Sequence, residues 1–212
     1  MNAPDEVLPP EQQEVLRELG RHAADFGFYL GGGTAIAIHL GHRQSLDLDW
    51  FTSQRIENPL DLARELQDRG VNLQAGSVAR GTLHGDVRGV RVSFLEYRHS
   101  LIVPPADRPD LGGRIASLED LAAMKLLAVD QRGAKKDFVD IHALGVQGRS
   151  LAEMFDLFRR KFAVDDVSRV LYSLSYFDDA ERDPMPKMLT NISWEQVKTD
   201  IRAWVKGIAM VE

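Results

Sequence analysis

Two carboxylates set one residue apart, Asp47 and Asp49 in the run Leu46-Asp47-Leu48-Asp49-Trp50-Phe51, follow a glycine-rich turn, Tyr29-Leu30-Gly31-Gly32-Gly33-Thr34. Extended backbone sends alternate side chains to opposite faces. Both aspartates therefore share one side, and Leu46, Leu48 and Trp50 share the other, which enters the core. Paired carboxylates facing a cleft are hard oxygen ligands of the kind magnesium takes, with phosphate oxygens and water completing its shell. Glycines ahead of a helix allow close approach of a ligand, and the free amides and dipole at that helix end favour an anion. The combination suits a phosphorylated substrate held on amides, with a divalent metal brought to it. It is neither a dinucleotide fingerprint nor a Walker loop, since no Gly-Lys-Ser/Thr follows.

The elements that must position these groups can be read from periodicity and caps. Apolar residues Val15, Leu16, Leu19, Ala23 and Phe26 predict a helix over Pro10 to Phe26. Phe28-Tyr29-Leu30 reads as a short buried strand, and Thr34 to Leu40 as a helix packed behind the glycines. Asn58-Pro59 opens a further helix to about Arg69. From Val71 to Tyr97 apolar and polar residues alternate between glycines, which predicts two or three antiparallel strands, the clearest over Val90 to Leu95. The stretch Pro104 to Gly113 is a loop and the expected boundary. Beyond it Ser117 with Asp120, Ser150 with Glu153 and Ser193 with Gln196 are capping-box pairs that start helices, and others should begin near Lys135 and Asp166. Asp178 to Pro186 reads as a polar loop. The expected class is α+β: a small mixed-sheet core over residues 1–105, then a helical half over 106–212 that completes the cleft.

Bulk composition removes several chemistries. The 212 residues include no cysteine, so disulfides, thiolate metal sites and cysteine nucleophiles are excluded. A formal charge of −6 argues against indiscriminate nucleic-acid binding while leaving a local basic cleft open. No apolar run approaches the roughly 20 residues that span a bilayer, and the acidic start is unlike a signal peptide. A cytoplasmic protein with no membrane partner is expected. His39 and His42 are three apart, but no third ligand is evident, and Trp194 and Trp204 read as core residues of an amphipathic helix.

Gly32-Gly33-Thr34-Ala35 with Asp47 and Asp49 resembles the signature of the nucleotidyltransferase superfamily. With Lys125 and the run Lys135-Lys136-Asp137-Phe138-Val139-Asp140-Ile141, residues 27–145 resemble the AbiEii/AbiGii toxin-like branch. The resemblance implies a nucleotidyltransferase fold and a magnesium-dependent enzyme moving NMP from an NTP to an acceptor hydroxyl. It implies that Gly32, Gly33, Thr34 and Lys125 bind the nucleotide and that Asp47 and Asp49 hold Mg2+. Asp49, Asp137 and Lys125 would be catalytic, with Asp140 as an additional participant. It also implies RNA, a tRNA 3′ end, as acceptor, and the role of a toxin in a toxin–antitoxin or phage-defence pair, with a cognate antitoxin as partner. Without the resemblance, Lys125 reads as a lysine snorkelling at the edge of an apolar helix, and residues 135–140 as a solvated first helical turn.

One position departs from the pattern. Many such enzymes take a third carboxylate from a later strand, where this chain presents Ser93; Glu96 has the opposite pleat parity. A non-catalytic protein keeping the fold for nucleotide or partner binding is the alternative that Ser93 supports.

Overall fold

The computed structural model describes residues 4–209. A short turn of helix, α1 (Pro4–Val7), leads into α2 (Pro10–Asp25), where Pro10 at the first helical position needs no intrahelical donor. Strand β1 (Tyr29–Leu30) runs into α3 (Gly32–Leu40), whose residues Ala35 to Ile38 are buried all round. The glycines are thus not a turn ahead of the helix, as expected. Gly31 caps it, and Gly32 and Gly33 form its first turn. Strand β2 (Leu48–Thr52) follows, then α4 (Pro59–Asp68), capped by the Asn58 side chain accepting from the Leu60 amide at 3.1 Å. Three strands come next: β3 (Leu73–Ala79), β4 (Thr82–Val87) and β5 (Val90–Glu96).

The sheet does not end at residue 105. Of two three-residue strands, β6 (Ala106–Arg108) lies within the segment expected to be a loop, and β7 (Gly113–Ile115) starts at its last residue. β7 pairs parallel to β1 with Leu30 opposite Ile115, giving a seven-stranded mixed sheet ordered β3-β4-β5-β2-β1-β7-β6. β2 runs parallel to β5 and antiparallel to β1. Leu48 and Trp50 are fully buried with Val92 and Phe94 beside them, and α2 and α4 cover that apolar face. Leu46 and Asp47 precede the strand and Leu46 is 54% exposed, so the expected alternation of burial holds only over Leu48, Asp49 and Trp50.

The remaining chain is helical: α5 (Leu118–Arg132), α6 (Lys135–Val146), α7 (Leu151–Phe162), α8 (Ser168–Ser173), α9 (Asp178–Glu181) and α10 (Trp194–Ala209). α9 interrupts what reads as a loop in sequence. Ser117, Ser150 and Ser193 each accept the predicted amide, from Asp120, Glu153 and Gln196 respectively. Gly133 ends α5 in the left-handed region, so that α6 folds back across it. α5 and α6 both pack on α3 and face the second side of the sheet across a cleft.

Candidate active site

Strand register orders the cleft wall. Asp49 of β2 lies opposite Ser93 of β5, which lies opposite His84 of β4. One step along the strands the row is Phe51, Leu95 and Thr82. Behind the central row, Arg91 of β5 pairs with Asp47 at 2.7 Å, and Lys136 of α6 reaches the other oxygen of Asp47 at 3.7 Å. The wall thus grades from ionic through polar to apolar, and Tyr97, edge-on to Phe51, extends the apolar end. α5 closes the cleft opposite with Leu121, Met124 and Lys125, leaving a volume of about 970 Å³.

The start of α3 meets this wall directly. The first intrahelical bond runs from the Ala35 amide to the Gly31 carbonyl at 3.2 Å, so the amides of Gly32, Gly33 and Thr34 precede the helical ladder. Gly32 has φ +62°, and a Cβ there would lie 2.7 Å from Oδ2 of Asp49. The missing side chain is what lets the aspartate lie over the helix start. Thr34 is buried, and its hydroxyl contacts Ser45 Oγ at 2.7 Å and donates to the Asp47 carbonyl. That hydroxyl does not face a ligand as expected. It ties the helix to the segment leading into β2, leaving the amide as the Thr34 group open to an anion.

Below the glycines lies a buried network of charge. Arg43 donates to Asp140 with Nε at 2.7 Å and Nη2 at 2.9 Å, and His42 Nε2 lies 2.7 Å from the same carboxylate. Lys125 Nζ is 2.8 Å from both Asp137 and Asp140, while Arg132 makes two bonds to Asp137 at 2.7 and 2.8 Å. Gly33 makes room for it, since a Cβ there would sit 2.5 Å from the Arg43 Nη2. Three permanent cations stand against two carboxylates, so the network leaves positive charge under the amides of α3.

Burial alone would raise the pKa values of Asp137 and Asp140. For Asp140 the charges of Arg43 and Lys125 outweigh it and hold the group well below the ordinary carboxylate range. For Asp137, Lys125 and Arg132 do the same. Burial likewise opposes the charge of Lys125, but Asp140 and Asp137 raise its pKa above the usual value. The expected catalytic role of Asp137 does not match this geometry. It is fully buried, both its oxygens are taken, and a depressed pKa makes it a poor proton acceptor. Lys125 borders the cleft, yet its ammonium is spent on the two aspartates rather than offered to a phosphate.

A stability prediction follows from these depressed values. A carboxylate whose folded pKa lies below its unfolded one contributes fully above the unfolded value, near 4, and loses that contribution as pH falls through the folded value. The thermal midpoint should therefore drop steeply below about pH 4. Replacing Asp140 with asparagine should flatten that acid limb, and an unchanged acid profile would remove the network from the stability of the fold.

Arg43, Arg91, His84 and Tyr97 line the cleft although the motifs do not mark them. Arg43 carries no local signal, because the partner that buries it is Asp140, on α6. Arg91 and His84 could have been found by laying the alternating strands side by side from Asp49. Among the described residues no three His, Cys, Asp or Glu side chains are close enough to hold a metal. Asp47 and Asp49 would need oxygen atoms from ligand and water to complete a shell.

Comparisons with known proteins bear on the family and the fold. A family model described as "Nucleotidyl transferase AbiEii toxin, Type IV TA system" matches residues 14–206. "Uncharacterized protein aq_aa25" of Aquifex aeolicus (strain VF5) is 36% identical over 203 residues, covering 94% of this chain and 96% of its own. The nucleotidyltransferase toxin MenT4 of Mycobacterium tuberculosis H37Rv superposes with a TM-score of 0.52 at 14% identity, over 92% of this chain and 82% of that one. A crystal structure from H. pylori, described as a candidate nucleotidyltransferase, gives 0.52 at 15% identity over 95% and 97%. At such identities the two structures share the fold. No helix of the described residues is long and apolar enough to cross a membrane.

Proposed function

The chain belongs to the AbiEii nucleotidyl transferase toxin family and is a nucleotidyltransferase, and we propose that it moves NMP from an NTP to a hydroxyl of RNA, a tRNA 3′ end, with magnesium as cofactor. The observation that carries the reading is where the charge lies. Arg43, Arg91, Lys125, Arg132, Lys136 and Lys187 line the cleft, and the carboxylates of Asp47, Asp49, Asp137 and Asp140 leave two of these positive charges in excess, on a chain of net charge −6. Cations concentrated in one cleft of an acidic protein select a polyanion there and repel it elsewhere. A triphosphate and an RNA end are both polyanions.

Asp47 and Asp49 are the groups that would hold Mg2+. Asp49 lies on β2 and Asp47 immediately precedes it, both lining the cleft, and Asp47 already has Arg91 and Lys136 against it, a place where one cation can exchange for another. When bound, the metal would offset charge developing on the transferred and leaving phosphates. The amides of Gly32, Gly33 and Thr34 would cradle phosphate oxygens, with the dipole of α3 and the excess charge of the network behind them. Phe51, Leu95 and Tyr97 would receive the base at the apolar end. Lys125 and Asp137 belong to this machinery as the frame that fixes Arg43 and Arg132 and supplies the field. Such a site works by positioning and electrostatics, which is what phosphoryl transfer requires. In a type IV system the partner would be a cognate antitoxin.

Ser93 beside Asp49 favours a second reading, a non-catalytic nucleotide-binding protein. One experiment separates them. Each α-labelled NTP is incubated with the protein and total RNA, with magnesium or with EDTA. Magnesium-dependent label on RNA is expected, in the tRNA size range. Tight NTP binding with no label on RNA would turn the conclusion to the second reading.

A further inference from the structure

The transfer must remove a proton from the attacking hydroxyl, and the groups named so far are poorly placed to take it. Asp137 and Asp140 are buried in ion pairs, Asp47 and Asp49 are committed to the metal in the reading above, and Ser93 is a hydroxyl with no basicity. His84 remains. It stands in one row with Ser93 and Asp49, and all three line the cleft. His84 Nδ1 and Ser93 Oγ are 3.1 Å apart, and Nε2 makes no hydrogen bond among the described residues. The side chain is exposed to the cleft, and the strand beyond it, β3, is bulged between Ala75 and Val78 and offers no titratable group there.

We propose that His84 is the general base of the transfer, occupying the task that a third carboxylate at position 93 would perform. The proposal rests on the nucleotidyltransferase reading above. In this role Nδ1–H donates to Ser93 Oγ, 3.1 Å away, and in that tautomer the lone pair of Nε2 is left for the acceptor. As the acceptor oxygen bonds to the α-phosphorus, its proton passes to Nε2. The bond from the α-phosphorus to the bridging oxygen breaks, and pyrophosphate leaves with that electron pair. His84 then returns its proton to water. Ser93 is thereby a positioning residue, and its presence is no sign of a dead site.

The test measures labelled transfer to total RNA, NTP binding by calorimetry and thermal midpoint in four samples. These are the wild type, His84→Ala, His84→Ala with added imidazole, and His84→Ala combined with Ser93→Asp. Transfer by His84→Ala should fall by about 10²-fold or more, as for a lost general base, with NTP affinity and midpoint unchanged. Imidazole should restore part of the rate, and so should the carboxylate at position 93. Full activity in His84→Ala overturns the proposal, as does a loss explained by weaker NTP binding, or a loss that neither rescue relieves. In each of those outcomes the wild type still transfers, so the transferase reading survives. A wild type that binds NTP and labels no RNA defeats that reading, and this one with it.

Discussion

Asp49→Asn should abolish transfer, lowering kcat by about 10³-fold or more, an effect of several kcal/mol of the kind a catalytic metal supplies. The substitution keeps the shape of the side chain over Gly32, whose absent Cβ would otherwise lie 2.7 Å from the carboxylate. Packing is thus preserved, and the thermal midpoint should move by less than about 2 °C, as for a change worth well under 1 kcal/mol in a chain this long. What would be lost is the charge that, in the proposed function, draws a divalent cation to β2. Single-turnover transfer at saturating NTP and several magnesium concentrations checks this. Activity regained at high magnesium would mean that Asp49 strengthens metal binding without being indispensable. Wild-type activity throughout would remove it from the site.

The second large effect is on folding. Asp140→Ala should destabilise the protein by about 3–5 kcal/mol, because it strands buried cations, and removing one partner of a buried pair costs far more than the pair contributes. Arg43 is 3% exposed and Lys125 4%, so neither can turn out to water without opening the helix packing. Lys125→Met should cost less, since Arg43 and His42 still satisfy Asp140, and Arg132 still satisfies Asp137. Denaturant titration of both variants gives the comparison. Equal, small losses would show the network to be weakly coupled. Transfer should suffer in both, through Arg43 and the charge under the glycines rather than through a missing phosphate contact.

Much of this arrangement can be read from the chain because its cause is local. Alternation alone puts Asp47 and Asp49 on one face, and the serine caps mark α5, α7 and α10 from side chains three residues apart. What escapes has a distant cause. Lys135 to Asp140 looks like a solvated helical turn, yet Asp137 and Asp140 are fully buried, because Arg43 arrives at Asp140 from the loop between α3 and β2 and Lys125 and Arg132 of α5 meet Asp137. β6 and β7 are three residues each, too short for periodicity to register, and exist as strands because β1 supplies a partner edge. Leu46 escapes for the opposite reason. Its place in the alternation is correct, but the strand has not yet begun there.

The backbone around Arg43 joins the sheet half of the chain to the segment before its last helix. The Gln44 amide donates to the Lys187 carbonyl at 2.8 Å and the Leu189 amide to the His42 carbonyl at 2.9 Å, with Arg43 bridged to Met188 between them. A segment some 145 positions downstream thus grips the residue that sets the charge beneath the glycine turn. Cutting the polypeptide between the sheet and its last helices would leave neither piece with a finished catalytic centre. Co-expressed fragments would act as a logical conjunction, silent apart and active only when both are present and docked.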